Sequence, residues 1–342
     1  MTGRTITSSR HRLTRTAVAV LVLTLVLPTA ALAAHVADFR LSPRIAADAA
    51  SGKTLVFRIS YHDPSLPFAA PIRAGIADAA RAFHVNAKMV GPAGGGADKQ
   101  VAELQTLMVK GVDGLAISSA TTDALAPLIN KALREGIPVV TFNTDNPKSH
   151  RLAFVGQNLV ASGRVAGEQM VRLLHGKGKV LIVSLDAAAQ WSHDRETGAR
   201  QALGRYSGIQ IVGLVSANGK AEEAYSVIQN AMTAHPDVNG IVSLDCCTFP
   251  AAAQYVQRSH LSGKVKVVGF DLLPLNLQLV KQGAAQVTIG QNPYLQGYDS
   301  VKLLYRLVKQ RKPIHTIDTG TQIVTKANVE QIIQEARAGK VG

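Results

Sequence analysis

From Thr54 to about residue 311 the chain alternates short β-rich runs with helical patterns, and no other feature restricts its fold as much. "TLVFRIS" (54–60), "NAKMV", "DGLAI", "IPVVTF", "RLAFVG", "KVLIVS", "IQIVGLV", "GIVSL", "VKVVGF" and "AQVTIG" read as strands, bounded by Gly, Pro, Asn and Asp. Helical stretches lie between them, near 68–83, 98–110, 122–135, 158–175, 193–206, 220–234, 250–260, 274–282 and 294–311. In the first, Phe68, Ile72, Ile76, Ala79 and Phe83 recur at three- and four-residue intervals and make one apolar stripe. Gly136 and Pro138 stop the third. A strand followed by a helix must rejoin the sheet by a crossover, so the strands are parallel and helices cover both faces. So many strands overfill one sheet. The pattern therefore predicts an α/β protein of two doubly wound parallel-sheet lobes rather than one closed barrel. Residues 34–52 are Ala-rich without a clear pattern and read as a lead-in.

The N-terminus is a separate object. Arg4, Arg10, Arg12 and Arg15 precede the apolar run "AVAVLVLTLVL" (17–27), and "PTAALAA" follows with Ala31 and Ala33 at signal-peptidase spacing. A signal peptide spanning 1–33 is expected, with cleavage near Ala33 and export to the periplasm. The apolar run falls short of the roughly 20 residues a membrane-spanning helix needs. Hydrophobic residues at 46% and charged residues at 18% exclude a disordered chain. Without the four arginines the balance is 33 basic to 23 acidic residues, about +10. These charges are scattered, with "KQRK" (309–312) the one tight cluster, so nucleic acid is not an expected partner.

Several chemistries lack support. "SGKT" (51–54) has Ala47 where a phosphate loop needs glycine, and it precedes a strand instead of following one. "GPAGGG" (91–96) lacks dinucleotide spacing, and HExxH, CxxC and GxSxG are absent. Nothing requires an enzyme, a metal or a cofactor. What does recur is polarity at strand C-termini, where ligands of doubly wound sheets bind. Those positions hold Tyr61, His62, Asp63, Ser118, Asn143, Asp145, Asp186, Asn218, Asp245, Asp271 and Gln291, with Arg195 opening a helix. Such side chains pair with adjacent hydroxyls, and Phe68, Phe142 and Trp191 offer flat faces to the C–H side of a ring. Any single Asp or Asn here reads equally well as a helix cap. The set as a whole points to a polyhydroxylated ligand.

"SLPFAAPIRAGI", "DGLAISSATTDAL", "IPVVTFNTD", "FVGQNLVASGRVAG", "DRETGARQAL", "TAHPDVNGIVSLD", "VVGFDLLP" and "TIGQNPYLQGYDS" resemble ribose- and galactose-type periplasmic binding proteins of sugar ABC importers, from about Thr54 to Lys326. The resemblance implies the type I periplasmic binding protein fold, two lobes joined by a three-segment hinge. It maps the N-terminal lobe to 54–157 plus 292–320 and the C-terminal lobe to 158–291 plus 321–342. It implies a monomer that captures a sugar, polyol or cyclitol and hands it to a membrane permease with its ATPase. A sensor presenting the closed form to a chemoreceptor or kinase is the first alternative. An effector domain of a LacI-type regulator is the second, although a signal-like segment occupies the place of its DNA-binding helices. Phe68, Asn143, Arg195, Asp245, Asp271 and Gln291 match the family's ligand-contacting positions. Ala69 stands where the ribose type has a second Phe, Thr144 where it has an Arg, and no aromatic lies near Gly219. A less aromatic, differently shaped pocket follows.

The chain's two cysteines, Cys246 and Cys247, are neighbours after Asp245 and face the same cleft in this mapping. Adjacent Cα atoms stand about 3.8 Å apart, below the roughly 4.4–6.8 Å that disulfides prefer. Two readings stand: a vicinal disulfide presenting a rigid sulfur plate to the ligand, or two small thiols packed under the loop.

Overall fold

The computed structural model describes Thr2 and residues 39–337; the signal-peptide reading falls outside the described residues. The chain opens with helix α1 (Pro43–Ala50). The N-terminal half then runs β1 (Val56–Ser60), α2 (Ala69–Phe83), β2 (Asn86–Val90), α3 (Ala97–Lys110), β3 (Gly114–Ile117), α4 (Thr122–Arg134), β4 (Val139–Phe142) and β5 (Phe154–Gly156). It continues through α5 (Leu159–Leu173), β6 (Gly178–Ser184), α6 (Gln190–Leu203), β7 (Ile209–Ser216), α7 (Ala224–Ala234), β8 (Gly240–Ser243), α8 (Thr248–Arg258) and β9 (Lys266–Phe270). The chain closes with α9 (Pro274–Lys281), β10 (Val287–Gly290), α10 (Pro293–Val308), β11 (Ile317–Asp318), β12 (Gln322–Thr325) and α11 (Val329–Arg337).

These strands form two six-stranded sheets, in the orders β11-β5-β4-β3-β1-β2 and β12-β10-β9-β8-β6-β7. Every pairing is parallel except β10 with β12. The fold is thus two parallel-sheet α/β lobes. Helices cover both faces of each sheet, which is why β3, β4, β8 and β10 are buried along their whole length and are mostly apolar, with only Thr141, Ser243 and Thr288 polar. In the second sheet Leu181, Val183, Ile241 and Val267 join one core while Val180, Ile182, Val242 and Val268 join another. That alternation marks its two faces. The first sheet packs around Phe57, Ile59, Leu115, Ile117 and Phe142.

Part of the 34–52 stretch read as a lead-in forms α1. Ser42 caps it through a bond from the Ile45 N–H, Pro43 fits the first turn, and Ile45 and Ala49 are buried. Arg44 fixes the helix to the first lobe by an ion pair to Asp113 at 2.7 Å and a bond to the Val112 carbonyl at 2.5 Å.

Three segments connect the sheets: β5 to α5, β10 to α10, and β11 to β12. Gln157 ties them together. Its Nε2 donates to the carbonyls of Gly290 (3.1 Å) and Gly320 (3.0 Å) and to the Thr321 hydroxyl (3.0 Å), so one amide touches all three crossings. The lobes also meet directly. The Thr122 hydroxyl bonds Gln190 at 2.7 Å, Leu66 packs into a second-lobe core, and Cys246, Cys247 and Leu273 pack into the first-lobe core. Among the described residues no helix is long and apolar enough to cross a membrane.

Candidate ligand site between the lobes

The loops at the carboxyl ends of both sheets face one another across a cavity of about 380 Å³, its open mouth included. Tyr61, His62, Leu66 and Phe68 come from the β1–α2 loop and Asn143 from the end of β4. From the other side come Leu185, Trp191, Arg195, Asp245, Cys246, Asp271 and Gln291, with Leu159 at the start of α5. Asn143 and Asp271 both hold left-handed backbone, φ 57° and 75°, which turns each side chain sharply off its strand end.

Arg195 is the least satisfied of these groups. It is 3% exposed, its guanidinium carbon lies over the Phe270 ring, 3.9 Å from the centroid, and Nη1 donates to the Leu244 carbonyl at 2.8 Å. Its Nε is buried without a partner. Asp271 and Asp245 favour its charge electrostatically against the cost of burial, yet among the described residues no ion pair joins either to Arg195. A buried cation held near carboxylates but not touching them keeps a donor, Nε, without a protein partner.

Asp271 accepts from Gln291 Nε2 at 2.8 Å, and burial raises its carboxyl to about 6 against the pull of Arg195 and Gln291. Asp245 differs. One oxygen accepts the Cys247 and Thr248 N–H groups at 2.9 and 2.8 Å; the other takes the Leu185 N–H and the Thr248 hydroxyl, each at 2.8 Å. It lines the cavity, but its bonds are spent on capping α8 and holding the β6–α6 loop.

His62 and Asp271 end a continuous hydrogen-bond chain. His62 Nδ1 meets the Ser118 hydroxyl (2.8 Å), which donates to Asn143 Oδ1 (3.1 Å); Asn143 Nδ2 donates to Gln296 Oε1 (3.0 Å). Gln296 Nε2 then donates to Gln291 Oε1 (3.2 Å), and Gln291 to Asp271. Because Ser118 gives its hydrogen to Asn143, His62 carries its own on Nδ1 and keeps an acceptor lone pair on Nε2. Burial lowers its pKa to about 4, so the ring is neutral. Tyr61 packs against His62, Phe68 and Phe142, with ring centroids 4.3, 6.4 and 6.2 Å apart. The wall is therefore apolar on one side and donor- and acceptor-bearing on the other, a surface that suits a ring with hydroxyls.

Seven sequence-selected residues stand apart from this wall, among them Asp186 beside Asp63 at the rim and Phe142, buried behind Tyr61. Ser118 sits behind it in the chain just described. Asp63 lies at the rim beside Gly94–Gly96, where its Oδ1 accepts from the N–H groups of Ser65 (3.0 Å) and Gly94 (3.1 Å). Asp145 turns away to pair with Arg151 and take the Thr141 hydroxyl. Asn218 is exposed in a left-handed turn after β7. Cys247 faces an adjoining groove. The apolar Leu66, Leu159 and Leu185, and Gln296 and Gln157, were not among the sequence-selected residues; the two glutamines lie inside "TIGQNPYLQGYDS" and "FVGQNLVASGRVAG", but neither stands out there by residue type or spacing. Among the described residues no three His, Cys, Asp or Glu side chains are placed to hold a metal ion.

The profile of the periplasmic binding protein domain family matches residues 57–312. The chain belongs to that family. This periplasmic binding protein is similar to the xylose/arabinose-binding protein of Sulfolobus acidocaldarius, 25% identical over 293 residues that cover 81% of this chain and 72% of the relative. An ABC transporter solute-binding protein of Burkholderia graminis, solved with D-arabinose, is 29% identical with a TM-score of 0.77, covering 80% of this chain and 96% of that one. A glucose-galactose binding protein of Geobacillus stearothermophilus is 26% identical with a TM-score of 0.76, covering 81% and 99%. The two-lobed α/β architecture expected from strand–helix alternation is thus that of known binding proteins of the type I fold.

Proposed function

We propose that this periplasmic binding protein captures a small sugar or related polyol between its lobes and delivers it to an ABC permease with its ATPase, without altering it. The observation that carries this is the buried, under-satisfied Arg195 over Phe270, opposite the neutral His62 and beside Asp271. Adjacent ligand hydroxyls would bridge guanidinium and carboxylate while Phe68 and Trp191 cover the ring. Asn143 and Gln291 would complete the contacts, Cys246 would form part of the wall, and Asp245 would hold it. The similar proteins named for xylose, arabinose, glucose and galactose support this ligand class. In this reading the lobes comprise 54–157 with 292–320 and 158–291 with 321–342, hinged where Gln157 joins the crossings. Neither a sensor nor a regulator role has an observation of its own in its favour.

The test is thermal unfolding of ligand-stripped protein across pentoses, hexoses, polyols and cyclitols. A ligand at 1,000 times its dissociation constant adds about 4 kcal/mol, an upward shift of several degrees. One or a few stereochemically related hits are expected; a flat response from folded protein would contradict the proposal.

A further inference from the structure

We infer that Cys246 and Cys247 are a reversible dithiol–disulfide site whose state reshapes the wall of the ligand cavity. Their Sγ atoms stand 3.2 Å apart, in contact and unbonded. Cys246 is buried and lines the cavity; Cys247 is half-buried at the start of α8. Both also border an apolar groove of about 1,410 Å³, open solvent included, formed across the lobes by Pro67, Pro71, Pro250, Leu273 and Pro293. The groove gives a reagent access to Cys247 without passage through the ligand cavity. Cys247, half-buried and open to the groove, is the sulfur a reagent meets first, while the Cys246 thiol is buried, and its hydrogen bond with Cys247 together with burial holds its pKa well above the usual value.

The oxidant is a low-molecular-weight disulfide, RSSR. Cys247 as thiolate attacks one sulfur and expels RS⁻, leaving a mixed disulfide. Cys246 loses its proton to solvent and attacks the Cys247 sulfur, expelling the second RS⁻. Two protein thiols become one disulfide and RSSR becomes two thiols, which balances protons and electrons.

Closing the bond pulls together sulfurs on neighbouring residues whose Cα spacing is below the usual range, and the connecting peptide must distort. That peptide carries the Cys247 N–H held by Asp245 at 2.9 Å. Asp245 in turn holds Leu185, and Asp245, Leu185 and Cys246 all line the cavity. Oxidation is therefore felt at the wall itself. Trp191, the chain's one tryptophan, lines the same cavity and reports on it without any ligand.

The experiment treats the reduced protein with oxidised glutathione, then reads intact mass, Trp191 emission, and affinity for D-ribose and D-xylose. We expect loss of the mass of two hydrogens and a change in emission, both reversed by dithiothreitol and absent in Cys247→Ser and Cys246→Ala. The oxidised form should bind sugar about fivefold more weakly, as expected for one disturbed hydrogen bond; that arm alone rests on the sugar reading. An unchanged mass, stable glutathione adducts on the cysteines, or a disulfide formed with no change in emission would each overturn the inference. Absence of binding by either sugar in both redox forms would count against the sugar reading, while mass and emission still decide this one.

Discussion

His62 and Asp271 terminate one hydrogen-bond chain, and burial moves their pKa values in opposite directions, to about 4 and about 6. Asp271 holds its proton in the fold when the unfolded chain has already lost it. The stability this contributes is present below pH 4 and is lost as pH rises through 6. His62 stays neutral in the fold when the unfolded chain is protonated. Its contribution is full above pH 6.5 and is lost as pH falls through 4. Each amounts to about 3 kcal/mol, and between pH 4 and 6.5 they oppose one another. Measured by urea unfolding, Asp271→Asn should gain on the parent as pH rises from 4 to 6. His62→Gln should gain on it as pH falls from 6.5 to 4. Variants that track the parent in parallel across this window would show that neither group is perturbed. Side-chain roles were the least legible part of the sequence. Asp245 shows as a polar group at a strand end, but its partner Leu185 lies sixty residues away, so cap and ligand contact could not be told apart.

At the scale of elements, the position of Arg195 depends on how α5 and α6 meet. A Cβ on Gly163 would overlap the Arg195 carbonyl, and one on Gly198 would overlap that of Val160, so the two helices touch backbone to backbone. Gly198→Ala must push them apart. We expect a loss of 3 kcal/mol or more in urea unfolding, at the upper end of overpacking costs, together with weaker ligand binding. A loss below about 1 kcal/mol with unchanged binding would show that the interface yields freely. The long helices and inner strands were legible because covered strands are mostly apolar and rich in Val and Ile, and α2 repeats its apolar residues at helical spacing. The short elements were not. α1 buries little beyond Ile45 and Ala49, β11 has two residues, and β12 is half exposed, so none carries a full period of pattern.

For the whole molecule, the two lobes were readable from alternation alone, since so many parallel strands cannot share one sheet. The hinge was not, because Gln157 draws its meaning from three segments distant in sequence. The central claim is that a sugar binds between these lobes and is gripped by Arg195. Titration calorimetry with D-xylose, D-arabinose, D-ribose and D-galactose, on the parent and on Arg195→Met, tests it most directly. The account predicts one-to-one binding of at least one of these sugars by the parent. It also predicts binding weaker by about a hundredfold in the variant, the worth of one or two charge-assisted hydrogen bonds. No binding by the folded parent, or equal affinity in Arg195→Met, would contradict it.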